Sequence, residues 1–193
     1  MKILIIGGTG TISTGITRFL VDRGDDVTLY NRGKRRVEIS EEKVNRIVGD
    51  RTDYAAFEDQ MSETGPWDTV IDMVAFLPDD VESAIRAFSG RTEQYVFCST
   101  VDVYTKPAAV YPITEDAERK PSPSFSYAFN KAKCERRLEE ANEDGDFAVT
   151  MIRPAWTYAE GGTIIHTFGW NTFYLHRMLQ GRPIIVHGDG TSF

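Results

Sequence analysis

The sequence predicts an α/β fold built on a doubly wound parallel sheet. Three observations carry that prediction. Short apolar runs alternate with helical patterns from residue 2 to residue 152. The first runs are continuously apolar, as strands buried on both faces require. A glycine cluster closes the first run and opens the first helical pattern. Strands alternating with helices imply right-handed βαβ units.

Residues 2–6 are an unbroken apolar run after Lys2 and form the first strand. Residues 11–23 set Ile12, Ile16, Phe19 and Leu20 at helical spacing. Strands follow at 27–30 and 46–48, then a helix at 52–61, a strand at 69–74, a helix at 79–88 and a strand at 94–98. A long helix at 124–142 and a strand at 147–152 complete the pattern. Between them, residues 106–123 hold four prolines and mixed charge, which predicts an irregular loop of a length that is often functional. Beyond residue 153 the rhythm is lost. Gly161-Gly162, the aromatics Phe168, Trp170, Phe173 and Tyr174, and Gly181-Arg182-Pro183 begin a different substructure. The expected division is one domain over 1–153 and the start of a small C-terminal lobe over 154–193, which reads as truncated.

The 193 residues carry 22 basic and 29 acidic side chains, a net charge of −7 and a pI near 5.0. With 41% hydrophobic and 26% charged residues, disorder, collagen and a disulfide scaffold are excluded. A net negative chain is a poor partner for nucleic acid or an anionic membrane unless its positive charge is clustered. Cys98 and Cys134 lack CxxC spacing and read as buried free thiols of a reducing compartment. The opening apolar run is too short for a leader, and no run approaches the roughly 20 residues of a membrane span. A cytoplasmic location is expected. His166, His176 and His187 lack ligand spacing, so no metal is expected. Phe173 and Met178 read as a core or interface face, and His166 with Trp170 as packing rather than a substrate pocket.

Gly7-Gly8-Thr9-Gly10 sits where a strand turns into a helix. Glycine permits the tight turn and the close approach of backbone to a pyrophosphate, and the helix then aims free N–H groups at the phosphates. This is the context a dinucleotide-binding Rossmann fold requires. The cofactor contacts expected here are Gly7, Thr9, Gly10, Thr11 and Ile12. Ser13 stands where a third glycine is common, and Gly15 is a candidate to share its packing task.

The second strand ends in Tyr30-Asn31-Arg32-Gly33-Lys34-Arg35-Arg36. The acid that usually holds the adenosine ribose is replaced by Asn31, and cations follow. Asn31 and Arg32 therefore favour NADP over NAD; a solvated basic turn is the competing reading. In Gly49-Asp50-Arg51, Asp50 either accepts from the adenine amino group or caps the next helix.

Tyr127 and Lys131 lie one helical turn apart. A phenol is a poor base at neutral pH, and an ammonium beside it would lower its pKa. Ser99 and Thr100 close the fifth strand, at the sheet edge where open α/β folds bind ligands, and both hydroxyls are expected to project into that crevice.

These residues together are identified with a family. The ordered set Gly7-Gly8-Thr9-Gly10, Gly49-Asp50, Phe97-Cys98-Ser99-Thr100-x-x-Val103-Tyr104, Tyr127-x-x-x-Lys131, Arg153-Pro154 and Gly181-Arg182-Pro183 through Gly188-Asp189-Gly190 resembles the extended or atypical short-chain dehydrogenase/reductases, the NAD(P)-dependent epimerase/dehydratase group. The resemblance spans essentially the whole chain. It implies Thr100, Tyr127 and Lys131 as the catalytic set, with Tyr127 as base and Lys131 also gripping the nicotinamide ribose. It implies cofactor contacts from Asp50, Arg51, Val74, Ala75, Ser99 and Pro154, with 154–158 lining the nicotinamide side. The C-terminal segment would begin a substrate lobe. A small-molecule substrate, a sugar nucleotide or related alcohol, and a possible homodimer through the helix at 124–142 follow from the same resemblance.

Related dehydratases carry an Asp-Glu pair after the catalytic Thr, whereas this chain has Val101-Asp102. An epimerase or simple reductase is expected over a dehydratase. A non-catalytic NADP sensor and an RNA-binding protein are the alternatives, since relatives of this fold with the same Asn-Arg-Gly turn include RNA-binding proteins.

Overall fold

Alternation along β1 (Lys2–Ile6) builds two hydrophobic layers at once. Leu4 and Ile6 pack with Phe57, Met61, Val81, Phe88 and Leu138 on one face; Ile3 and Ile5 pack with Leu20, Val27, Leu29 and Ile71 on the other. This computed structural model describes residues 1–34, 39, 41–159, 165–166, 169–170, 173–186 and 189. Arg35, Arg36, Gly161, Gly162, Phe168, His187, Gly188 and Gly190, singled out above, lie outside the described residues, as do the side chains of His166 and Trp170.

β1 lies inside a six-stranded sheet with β2 (Asp26–Asn31), β3 (Asn45–Val48), β4 (Trp67–Asp72), β5 (Thr92–Cys98) and β6 (Ala148–Ile152). The order is β3-β2-β1-β4-β5-β6 and every neighbouring pair is parallel. α1 (Thr11–Arg23) covers one face through Leu20. α2 (Tyr54–Ser62), α3 (Pro78–Phe88) and α4 (Ser126–Glu143) cover the other. The doubly wound parallel sheet is as predicted. β1 has β2 on one side and β4 on the other, so the chain reverses its winding there and opens a crevice beyond the carboxyl ends of both strands.

Element ends move for local reasons. β4 stops at Asp72 because that carboxylate accepts the N–H groups of Val74 and Ala75, each at 2.9 Å, and so turns the chain out of the sheet. α2 starts at Tyr54 because Asp53 is its N-cap and accepts from Ala56 N, while Asp50 accepts from both the N–H and hydroxyl of Thr52. Residues 105–125 contain neither helix nor strand. The loop is tied at its base, where Thr105 N donates to Glu118 O at 2.8 Å and Thr105 Oγ1 to the Glu118 carboxylate at 2.8 Å.

The chain divides into two compact units, Met1–Ala155 and Trp156–Phe193. In the second, β7 (Ile165–His166) pairs antiparallel with β8 (Gly169–Trp170), and α5 (Phe173–Leu179) follows. α5 buries none of its described side chains; Phe173 and Met178 are exposed, which removes the core half of the core-or-interface reading. Among the described residues no helix is long and apolar enough to cross a membrane.

Candidate active site

The glycine turn is shaped by what surrounds it. Gly7 adopts φ +112° and Gly8 φ +81°, conformations that L side chains rarely take. A Cβ on Gly7 would press on Met73 and Val74 at 3.3 Å, and one on Gly8 would stand 2.6 Å from Leu29 Cδ2. The turn is therefore wedged between the ends of β2 and β4. Gly10 is the N-cap of α1 and its carbonyl takes the N–H of Thr14, leaving the N–H groups of Thr11 and Ile12 in the helix's unsatisfied first turn. Thr9, Gly10 and Ile12 are half-buried and Thr11 is exposed.

Ser13 explains its place in the motif. It is 3% exposed and its hydroxyl accepts from Gly10 N at 2.8 Å, bracing the turn in a way a third glycine cannot. Gly15 is exposed with nothing near its Cβ position, so it does not share the packing task. Gly8→Ala should cost about 1–2 kcal/mol in urea unfolding, the range for a residue forced to positive φ, with Leu29 displaced as well.

At the far end of the crevice, Asn31 is engaged on both sides. Its Nδ2 donates to Gly7 O at 3.2 Å and its Oδ1 accepts from Gly33 N at 2.9 Å. The amide thus links the glycine turn to the basic turn, which a carboxylate could not do at Gly7 O. Arg32 and Lys34 are exposed. Asp50 is held below its ordinary pKa first by the two Thr52 hydrogen bonds, then by the charges of Arg32 and Lys34. It does not cap α2, whose N-cap is Asp53; its bonds to Thr52 brace the turn that leads into the helix.

Arg51 departs from expectation. Its guanidinium turns inward and is 6% exposed, 4.0 Å from the Phe57 ring, donating to Asp80 O and standing 3.8 Å from Asp72. The flat cation stacks on an aromatic face and meets buried acceptors there, which a solvated position does not offer.

At the carboxyl end of β5, Ser99 and Thr100 separate. Successive residues of extended chain point opposite ways. Ser99 is 2% exposed, with its hydroxyl turned toward Glu135. Thr100 Oγ1 accepts from Asp102 N at 3.2 Å, and its hydroxyl lies near enough to the Tyr127 phenol to pull that group's pKa downward. Pro154 lies beside them, its carbonyl accepting from Val101 N. Tyr127 projects from the first turn of α4 between Phe76 and Phe125, with ring centroids 6.3 and 6.0 Å away.

Lys131 sits one turn deeper and is 1% exposed. Its Nζ donates to Ala75 O at 2.7 Å and Cys98 O at 2.6 Å, and lies against the faces of Phe76 and Phe97. Burial lowers its pKa. The Tyr127 pKa lies above its ordinary value, chiefly through burial, with Thr100 pulling it down and the charge of Asp102 pushing it up. The expectation that Lys131 lowers the phenol is not met here: its ammonium is spent on two backbone carbonyls.

Behind α4, Glu135 is fully buried and holds two guanidinium groups. Arg153 donates to both its oxygens, Nε at 2.8 Å and Nη2 at 3.1 Å, and Arg119 Nη1 donates at 2.8 Å. Arg153 also donates to the Tyr104 hydroxyl and Glu115 O, so one carboxylate joins α4, the end of β6 and the 105–125 loop.

Sequence reasoning passed over Asp72, Tyr95 and Glu135. The two acids had a signal: Asp72 ends the apolar Val70-Ile71 run, and Glu135 lies on the same helix face as Lys131, among Ala132, Cys134 and Leu138.

A model of the NAD dependent epimerase/dehydratase family matches residues 3–88 and 78–193. The chain is 31% identical over 201 residues to the chloroplast stem-loop binding protein of 41 kDa b of Arabidopsis thaliana, covering 98% of this chain and 50% of that protein. It is 26% identical over 192 residues to 2'-dehydrokanamycin reductase of Streptomyces kanamyceticus, covering 100% of this chain and 53% of that one. The chain spans about half the length of these relatives. Among solved structures, the UDP-glucose 4-epimerase of Thermotoga maritima with UDP-glucose superposes with a TM-score of 0.78 at 21% identity, covering 98% of this chain and 67% of that one. WbmG of Bordetella bronchiseptica in complex with NAD gives 0.74 at 22%, covering 96% and 61%.

Proposed function

Because the chain belongs to the NAD-dependent epimerase/dehydratase family, we propose that it serves hydride transfer at a carbinol carbon of a sugar nucleotide or related alcohol, with Tyr127 as the proton-transferring group. The observation that carries this reading is the convergence of Thr100, Tyr127 and the buried Lys131 at the carboxyl end of β5. The glycine turn fits a dinucleotide, since it leads straight into α1, whose Thr11 and Ile12 N–H groups lie in the unsatisfied first turn where a pyrophosphate would be received.

Gly7, Thr9, Gly10, Thr11 and Ile12 would receive the pyrophosphate on backbone N–H groups. Arg32, with Lys34 beside it, would take a 2′-phosphate, which makes NADP the preferred form over NAD. Val74, Ala75 and Pro154 would line the nicotinamide side and Lys131 would hold its ribose. The nicotinamide, when bound, supplies or accepts the hydride. Tyr127 moves the proton at the substrate oxygen, and Thr100 donates a hydrogen bond that orients this oxygen and steadies its developing charge.

A pKa above the ordinary value keeps Tyr127 protonated at neutral pH, ready to give a proton to a ketone being reduced. The named activity of the Streptomyces relative is of that kind. Titration with NADPH and NADH, following nucleotide fluorescence, tests the reading. Arg32→Ala should weaken NADPH about tenfold, the worth of one charge-assisted contact, and leave NADH within about twofold. Equal effects on both nucleotides would remove Arg32 from the phosphate site.

RNA binding is a second reading, favoured by the name of the Arabidopsis relative. Affinity for an RNA stem-loop that falls steeply with salt, together with indifference to Tyr127→Phe, would favour it.

A further inference from the structure

Asp72 sits where three buried groups meet. It is 0% exposed at the end of β4. One oxygen accepts the N–H groups of Val74 and Ala75, each at 2.9 Å. The other accepts the Tyr95 hydroxyl at 2.7 Å and faces Arg51 Nε at 3.8 Å. Tyr95 is also 0% exposed, on the neighbouring strand β5. Ala75, whose N–H the carboxylate fixes, presents its own carbonyl to Lys131 Nζ at 2.7 Å.

We infer that Asp72 is a positioning residue for Lys131, acting through the 74–75 turn and itself oriented by Tyr95 and Arg51. The inference rests on the reading that Lys131 belongs to the cofactor site. Its geometry is independent of any nucleotide. A turn held at its N–H groups sets where its carbonyls point, and Ala75 O is one of the two carbonyls that the ammonium meets. The second, Cys98 O, ends β5 and is placed by the sheet itself, since Phe97 pairs with Asp72 and Cys98 with Ile152. Of the two carbonyls, Ala75 O is therefore the one whose place depends on a side chain.

In Asp72→Asn the amide cannot both accept from the turn and receive the Tyr95 hydroxyl and Arg51 on its other side without presenting N–H to donors. In Tyr95→Phe the turn contacts remain and one orienting bond is lost. The test follows the Lys131 ammonium protons by nitrogen-15 NMR in the ligand-free chain at pH 6. Two hydrogen bonds and burial should give them slow exchange in the wild type. Exchange should quicken about tenfold in Asp72→Asn and about threefold in Tyr95→Phe, as expected for loosening one hydrogen bond. Leu20→Ala, which weakens the opposite face of the sheet, controls for stability and should leave the signal unchanged. Unchanged exchange in a folded Asp72→Asn overturns the inference. Should that variant not fold, unchanged exchange in Tyr95→Phe overturns it. The readout needs no nucleotide, so failure of NADH and NADPH to bind the wild type would defeat the proposed function and leave this result standing.

Discussion

Glu135→Ala should lower stability by about 3 kcal/mol, since removing one member of a buried ion pair strands its partners. For a chain of this size that is a fall of roughly 6–12 °C in Tm. The carboxylate is fully buried and receives Arg153 at 2.8 and 3.1 Å and Arg119 at 2.8 Å. Arg119 keeps Glu139 and Arg153 keeps Tyr104 and Glu115 O in the variant, which holds the loss below the upper range for such pairs. Burial alone would raise the Glu135 pKa, but the hydrogen bonds from Arg153 and Arg119 outweigh it and the net shift is downward. A carboxyl depressed in the folded state contributes stability above its unfolded pKa of roughly 4.3, and that contribution fades as pH falls through the lower folded value. Denaturant unfolding at pH 7 and pH 3 reads both effects. The gap between wild type and variant should be full at pH 7 and narrower at pH 3; a constant gap would mean that packing, and not charge, sets the loss.

Tyr127→Phe should reduce turnover by roughly a thousandfold, within the range for a lost general acid or base, while NADPH affinity stays within about twofold. The phenol reaches Thr100, and its ring keeps its place between Phe76 and Phe125 when the hydroxyl is removed. Burial raises its pKa in the ligand-free chain. The acid form is then present throughout the neutral range, so reduction should be flat in pH there and decline only as pH passes above the raised pKa. Oxidation, which needs phenolate, should rise with pH over that range. Rates on ketone and alcohol substrates across pH, with wild type and variant in parallel, check both signs. Residual turnover near wild type would remove Tyr127 from the chemistry.

The sheet was legible because its inner strands β1, β2 and β4 are buried on both faces and read as largely apolar runs between glycine and helix signals. Lys2–Ile6 and Thr11–Arg23 have the ends their patterns predict. Polar hydrogen bonds decided the ends that moved: Asp72 shortens β4 and Asp53 delays α2, and no hydrophobic period records such choices. The same limit governs the site. The spacing of Tyr127 and Lys131 put both on one turn of helix, yet it did not show that two carbonyls, one in the turn after β4 and one at the end of β5, claim the ammonium. Arg51 read as a cofactor contact because it follows Gly49-Asp50, and only the tertiary packing of Phe57 and Asp72 shows it turned inward. Ser13 and Asn31 looked like departures from a motif; each is a brace of the glycine turn.

The most direct measurement of the central claim is the binding of NADPH and NADH to the wild-type chain and to Gly8→Ala, followed by nucleotide fluorescence at fixed salt. Saturable binding of both, tighter for NADPH and weakened severalfold or more in the folded Gly8→Ala variant, is the predicted result. A folded wild-type chain that binds neither nucleotide would contradict the account.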